Sequence, residues 1–461
     1  MGYYKQDKLV MPSHATIWEE IMERSLTAAM KNQDDSTPPL SCGVNCVTPQ
    51  NRTCGGSSVT LQNRPSSVKG EGPLSPFPLM PMLILVGIFY LNFVSRVVMA
   101  PLLPLVETEL GLGHGEAGSL FFFIAVGYGL GLLGSGFISS RLIHRHTITL
   151  SSLAVGGATL FVSLSASIKE MYAGLVLIGF FAGIYLPSGI ATITGLVRKE
   201  QWGKALAINE LGPNLGFITA PLLSEALLKF FSWRGVLTVV GVSAIFMGFL
   251  FFFVGRGGKD KGERPRFQSV HKIIRSPSFW IMAILFTVSI GSSMGAYTMM
   301  PLFLVSEMRM ERGWANTLIS LSRTFGIVVV LFSGLLTDRV GPKKALMIFL
   351  AATGVFTLLL GIIRGSITTP ILIFFQAAAP PCLFPIGFMI LSMIFPPHLR
   401  SVGVSLVVFF GFLIGGGAVP SGIGYWAEAF SFSSGFAVLG IYALGVLALF
   451  LLTAKRLHLS E

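Results

Sequence analysis

One pattern occurs twice in this chain, 198 to 199 residues apart. Ser135-Gly136-x-x-x-Ser140-Arg141 is echoed by Ser333-Gly334-x-x-x-Asp338-Arg339. Pro187-x-Gly189 returns as Pro385-x-Gly387, and Gly212-x-x-x-Gly216-x-x-x-x-Pro221 as Gly411-x-x-x-Gly415-x-x-x-x-Pro420. Each copy lies inside a long apolar run, so two halves of a membrane protein share one template. Such duplication builds a cleft between two similar bundles that rock around a central site.

The apolar runs set the architecture. Of 461 residues, 52% are hydrophobic and only 12% charged, about half the charge of an ordinary soluble chain. Twelve runs of about 20 residues suit helices crossing roughly 30 Å of hydrocarbon. They cover 79–103, 115–138, 148–167, 171–196, 205–228, 236–254, 278–303, 314–336, 345–363, 370–395, 402–424 and 433–454. The expectation is an all-α polytopic membrane protein with twelve transmembrane helices in two pseudo-symmetric six-helix bundles, 79–255 and 278–454. A basic central loop (256–277) joins them, and a tail (455–461) follows.

Basic residues give the orientation. Eighteen lie in the even-numbered connections, the central loop and the C-terminal tail. Six lie on the opposite side: Lys169, Lys229, Arg234, Arg309, Arg312 and Arg364. This bias places both termini in the cytoplasm, in a cell inner or plasma membrane. The net charge of +12 is spread over many short loops, so it speaks for orientation and against nucleic-acid binding.

Residues 1–78 balance seven basic against seven acidic side chains, are rich in Ser, Pro, Asn and Gln, and contain no spanning run. They read as a disordered cytoplasmic tail, with one short helix at 17–31, and not as a signal peptide. Cys42, Cys46 and Cys54 lie there without a second ligand pair, so neither a metal nor another cofactor is expected. Cys382 reads as a small packed residue.

The repeated motif carries a family resemblance. Gly334, Asp338, Arg339, Gly341, Lys343 and Lys344 match the loop motif G-x-x-x-D-R-x-G-R/K-R/K of the major facilitator superfamily, with Pro342 interposed. In the first half Gly136 and Arg141 remain, Ser140 replaces the acid, and His144-Arg145-His146 supplies the basic end, where lipid headgroups are the expected partners. Over residues 79–454 the chain resembles this family. The resemblance implies secondary transport by alternating access, with Asp338 latching the eighth span to the fifth when the cleft faces outward and Ser140 doing so weakly. Gly212-Pro213-x-x-Gly216 is similar to the antiporter signature of some members and describes a bent, closely packed helix.

The charges that break the repeat point to chemistry. Arg96 and Arg323 fall near mid-depth, where ionisable groups cost a few kcal/mol or more and usually face the bundle interior. Neither recurs: their counterparts are Met294 to Ala296 and Ile124 or Ala125. Unpaired guanidinium groups in a low-dielectric cleft make a strong field for an anion, and their fork suits a carboxylate. The competing reading has each arginine bonding carbonyls or a tyrosine, or Arg323 pairing with Glu210. Glu210, read as the one carboxylate clearly within a span, suits a coupling proton or, equally, structural pairing with a basic loop residue. Asn92, Tyr128, Tyr185, Ser188, Asn214, Tyr297 and Gln376 are candidates to complete the cavity. The runs at Phe121–Phe123 and Phe251–Phe253 read as lipid-facing or interfacial.

The expected function is a monomeric transporter in the lipid bilayer, moving a small organic anion by proton symport. The gating set is Gly136, Ser140, Arg141, Gly334, Asp338, Arg339, Gly341, Gly212, Pro213 and Gly216. A proton-coupled efflux antiporter for lipophilic compounds and a non-transporting membrane sensor or scaffold are the rival readings. No nucleotide loop, metal-spaced His pair or nucleophile elbow suggests an enzyme.

Overall fold

A computed structural model describes residues 78–262, 267–395 and 397–453. The expectations for the N-terminal segment, its three cysteines and the C-terminal tail lie outside the described residues.

Twelve long helices follow one another: α1 (Leu79–Leu110), α2 (His114–Arg141), α3 (His144–Leu164), α4 (Ile168–Leu196), α5 (Trp202–Leu228), α6 (Trp233–Val254), α7 (Pro277–Glu307), α8 (Arg312–Val340), α9 (Pro342–Ile362), α10 (Thr368–Ile394), α11 (Val402–Ala429) and α12 (Phe432–Leu452). Eleven are long and apolar enough to cross a membrane. The exception is α5, which carries Lys204, Asn209, Glu210, Asn214 and Glu225 and runs along the seam between the halves. A short helix, Phe267–Ile274, precedes α7 and packs Ile273 into the second half.

The repeat reappears as packing. In the first half α1 lies on α5, α2 on α4 and α3 on α6; in the second α7 lies on α11, α8 on α10 and α9 on α12. The halves meet through α2 with α11, α5 with α8 and α1 with α7. Apolar attraction between helices is weak in lipid, so small residues that admit close approach carry much of this packing. Helical geometry loosens where the glycines concentrate: α7 has π-helical turns at Gly291–Gly295 and Phe303–Glu307, and α11 has one over Gly411–Ala418. Such turns often mark functional positions.

Two readings of the sequence need correcting. Phe121 is buried and Phe122 lies against Gly417 of α11, while Phe123 stacks on Tyr172 at 4.1 Å. Phe122 therefore reaches the seam between halves and Phe123 packs within its own half, so the run is not simply lipid-facing. Of the other run, Phe251 is buried, and only Phe252 and Phe253 are exposed. His144 does not reach outward either: its Nδ1 lies 3.2 Å from the Ser188 hydroxyl, and its backbone N–H donates to the Asp260 carbonyl. Residues 258–262 run back over the α2–α3 turn, where Arg145 N–H donates to the Gly258 carbonyl and Gly262 N–H to that of Ser139.

Candidate substrate-binding site

Both mid-depth arginines point inward. Arg96 is 3% exposed and Arg323 7%, and neither pairs with a carboxylate among the described residues. Arg96, on α1, holds its guanidinium carbon 4.2 Å from the Tyr128 ring centroid, 5.1 Å from Phe93 and 5.9 Å from Phe412 of the other half. Its Nε is buried without a hydrogen-bond partner. Arg323, on α8, lies 5.0 Å from the Phe217 ring and 4.9 Å from that of Tyr297. Its Nη2 donates to the Ser293 carbonyl at 2.7 Å and its Nη1 to the Ser293 hydroxyl at 3.4 Å. That carbonyl belongs to the first π-helical turn of α7, where it also accepts from the Ala296 N–H.

One aromatic chain joins the two charges. Arg96 covers Phe93, Phe93 meets Phe217 edge-on at 4.7 Å, and Phe217 lies beneath Arg323. Phe217 also meets Tyr297 edge-on at 4.8 Å, and the Tyr297 hydroxyl donates to the Phe217 carbonyl across the seam. Cation–π contacts are worth about 0.5–2 kcal/mol each, enough to orient a guanidinium without neutralising it. The result is a positive, aromatic-walled centre contributed by both halves.

The other candidates separate by position. Asn92 donates to the Ser151 hydroxyl at 3.3 Å and keeps a buried, unpartnered Oδ1 one turn from Arg96. Gln376 donates to the Ser292 carbonyl at 2.8 Å, beside the turn that holds Arg323, and its Oε1 is unpartnered. Tyr128 lies directly against Arg96. The Tyr185 hydroxyl donates to the Leu85 carbonyl at 3.0 Å, and Ser188 meets His144 at the end of the bundle, so neither joins the arginines. Glu210 pairs with neither arginine. Its exposed carboxylate lies near Tyr128 and Tyr185 and makes no hydrogen bond or ion pair with a described residue. Asn214 donates to the Glu210 carbonyl.

The cleft is shut at the end that carries the odd-numbered connections. There Arg312 Nε donates to Glu225 Oε1 at 2.8 Å and its Nη2 to Oε2 at 3.2 Å, and Asn316 donates to Oε1 at 2.7 Å. Glu225 is thus a second carboxylate within α5, missed because it stands one turn from the helix end. Across the other seam Glu428 Oε1 accepts from Gly115 N–H at 2.9 Å. Closer to the arginines the Ser320 hydroxyl donates to the Ile218 carbonyl.

The termini-bearing end is different. Asp338 has no hydrogen bond or ion pair with a described residue, and a Cβ on Gly334 would meet nothing within 4 Å. Gly136, Ser140, Arg141 and Arg339 likewise lie at this end, and the Ser140 hydroxyl bonds only the Phe137 carbonyl of its own helix. Gly341 adopts φ 83°, the left-handed turn that admits Pro342 as the first residue of α9. Gly212 and Gly216 face α1, against the Tyr90 backbone and the Phe93 ring, and Pro213 lies between them inside α5.

The chain is similar to proteins of known role. It is 22% identical to a 4-hydroxybenzoate transporter of Pseudomonas putida over 354 residues, covering 68% of this chain and 77% of the relative. It is 22% identical to a cis,cis-muconate transport protein of Acinetobacter baylyi over 364 residues, covering 73% and 84%. A bacterial homolog of the human lysosomal transporter Spinster, in an inward-facing and occupied conformation, superposes with a TM-score of 0.71 at 16% identity over 83% of this chain and 97% of that one. The model of the Major Facilitator Superfamily matches residues 85–370 and 313–460, so the chain belongs to that superfamily and is a multi-pass membrane transporter, not an enzyme.

Proposed function

We propose that this transporter carries a small organic carboxylate, aromatic or unsaturated, bound between the halves by Arg96 and Arg323. The observation that carries the reading is a pair of buried guanidinium groups, one from each half, without carboxylate partners and bridged by Phe93 and Phe217. An anion supplies the missing charge, and a planar body suits the aromatic walls. The names of the Pseudomonas and Acinetobacter relatives fit the same chemistry. Asn92, Tyr128, Tyr297 and Gln376 surround the anion site; Tyr185 and Ser188 support the helices around it.

Glu210 is the candidate for a coupling proton, since its carboxylate is accessible in the cleft and free of a partner. The bias of basic residues puts the termini in the cytoplasm, so the open end faces inward and the Glu225–Arg312 end faces outward. Asp338 and its motif then engage only after the bundles have rocked the other way.

Uptake of labelled benzoate-class carboxylates into proteoliposomes, with and without an imposed proton gradient, tests the proposal. Accumulation that the gradient enhances, lost in Arg96→Gln and uncoupled from the gradient in Glu210→Gln, is the expected result. A folded protein that takes up no member of a pool of mono- and dicarboxylates would overturn it.

A further inference from the structure

At the inner, termini-bearing end the first copy of the loop motif has decayed, and the chain that joins the halves occupies its place. In the second copy the α8–α9 turn closes on itself. Gly341 takes φ 83°, its N–H donates to the Thr337 carbonyl, and its own carbonyl accepts from the Ala345 N–H. With the offset of 198 that aligns the motifs, Ile143 stands where Gly341 does and Ser140 where Asp338 does. A β-branched side chain resists the left-handed turn that Gly341 makes, and Ile143 is extended instead, at φ −65° and ψ 152°. The Ser139 carbonyl at the end of α2 and the first N–H groups of α3 then need partners from outside their helices.

Residues 257–262 supply them. Gly257 and Gly258, at φ 84° and 67°, turn the chain that leaves α6 back over the α2–α3 turn. The Gly258 carbonyl accepts from the Arg145 N–H at 2.9 Å and the Asp260 carbonyl from the His144 N–H at 3.0 Å, while the Gly262 N–H donates to the Ser139 carbonyl at 2.9 Å. Lys261 and Ile143 form an antiparallel bridge. The close fit requires glycine: a Cβ on Gly258 would stand 2.8 Å from the Arg145 nitrogen, and one on Gly262 2.4 Å from the Ser139 hydroxyl oxygen. After residues 263–266 comes the helix Phe267–Ile274, which belongs to the other half. It lies against Pro397–Phe410, the inner stretch of α11, and buries Ile273 in the second-half core.

The joining chain is thus fastened on both sides of the α2–α11 seam, to the end of α2 on one side and to the start of α11 on the other. Five peptide steps link Gly262 to Phe267 and reach at most about 18 Å. Unfastened from Gly255 onward, twelve steps would reach about 43 Å. At the place of the latching acid, the Ser140 hydroxyl bonds only the Phe137 carbonyl of its own helix. We infer that residues 257–262 are a strap that takes over the latch lost with Ser140: docked on the α2–α3 turn, it keeps the inner ends of α2 and α11 on a short covalent leash and limits how far this end of the cleft opens.

The test reads docking and opening separately and needs no substrate. The full-length protein in lipid nanodiscs, with its four cysteines replaced, is spin-labelled at Glu200→Cys and Lys344→Cys, exposed positions at the inner end of each half. Four or eight Gly/Ser residues inserted after Gly262 lengthen the leash by about 13 or 27 Å and leave the strap in place. Gly258→Val with Gly262→Pro unseats the strap at unchanged length. Hydrogen exchange of the His144 and Arg145 amides reports docking. The upper limit of the distance distribution is expected to move out by about 5 Å or more with eight added residues, by less with four, and likewise in the unseated variant. The two amides should stay protected in the insertion variants and exchange freely in the unseated one. Distances unmoved by the insertions, distances unmoved once the strap is unseated, or amides already unprotected in the parent would each overturn the proposal. If the double variant does not insert, Gly262→Pro alone, which removes the donor to Ser139, takes its place.

Discussion

Arg96 and Arg323 reach similar depth from opposite halves, yet their hydrogen-bonding capacity is spent differently. Arg323 places two nitrogens on Ser293 and lies against Phe217 and Tyr297, tying α8 to α7 and α5. Arg96 rests on rings of α1, α2 and α11, and its Nε is unpartnered. A guanidinium held by rings and one tyrosine hydroxyl, as Arg96 is by Tyr128, keeps part of its fork for a ligand, whereas one bonded to a backbone carbonyl helps hold the shape of the helix that it grips. In the proposed site the pair would divide the work: Arg96 would supply hydrogen bonds to the anion, while Arg323 would supply field and holds the turn at Gly291–Gly295 through Ser293.

The largest expected effect breaks this comparison at Arg96. Arg96→Gln should lower kcat/KM for carboxylate uptake by about 100-fold or more, the equivalent of about 3 kcal/mol of lost charge-assisted bonding. Arg96→Lys should recover only part of that loss, since an ammonium lacks the fork. Arg323→Gln comes next, at about tenfold. It should act more on turnover than on KM, because α7 loses its hold on α8 while the ligating fork remains. Initial-rate uptake at varied substrate concentration separates the two. Equal KM effects in both variants would erase the distinction.

Smaller effects sharpen the contrast between the two ends of the cleft. Glu225→Gln should weaken the closed end without touching the anion site. Ser320→Cys, just inside that end, should then be alkylated several-fold faster by a small membrane-impermeant maleimide than in the parent background. Asp338→Asn should slow turnover a few-fold with unchanged substrate affinity, because in the proposed cycle the residue engages only in the opposite state. Binding and exchange assays on the same preparation check this.

The least effect concerns Glu311, which caps α8 by accepting from the Gly313 and Trp314 N–H groups at 2.8 Å each. Those two amides hold its carboxyl below the usual carboxylate range. The cap therefore stabilises the protein above the ordinary glutamate range and is lost as pH falls through the depressed value. Glu311→Gln should lower Tm slightly near neutral pH and leave it unchanged at strongly acid pH, as followed by thermal unfolding in detergent.

Much of this architecture was legible in sequence because membrane spans and an internal repeat are written in runs and offsets. The twelve helices, the two bundles and the inward arginines all follow from hydropathy and from charge at depth. The contacts were not legible, since they depend on how the helices rotate and splay. Glu225 stands one turn from the end of α5 and resembles any interfacial acid until Arg312 is seen across the seam. Phe121–Phe123 is as apolar as a lipid-facing run, and only the approach of α11 at Gly417 places it inside. Phe93, Phe217 and Phe412 carry no chemical signal in a chain with 38 phenylalanines, yet they form the walls of the site. His144 read as a headgroup ligand because the return of residues 258–262 over the α2–α3 turn leaves no periodic trace.

The central claim is that Arg96 is the anion's ligand. Equilibrium titration of the purified protein with benzoate, followed calorimetrically in parallel on the parent, Arg96→Gln and Glu225→Gln, tests it most directly. The account predicts saturable binding in the parent and in Glu225→Gln and none in Arg96→Gln, with all three equally folded. Binding of undiminished affinity in Arg96→Gln would contradict it.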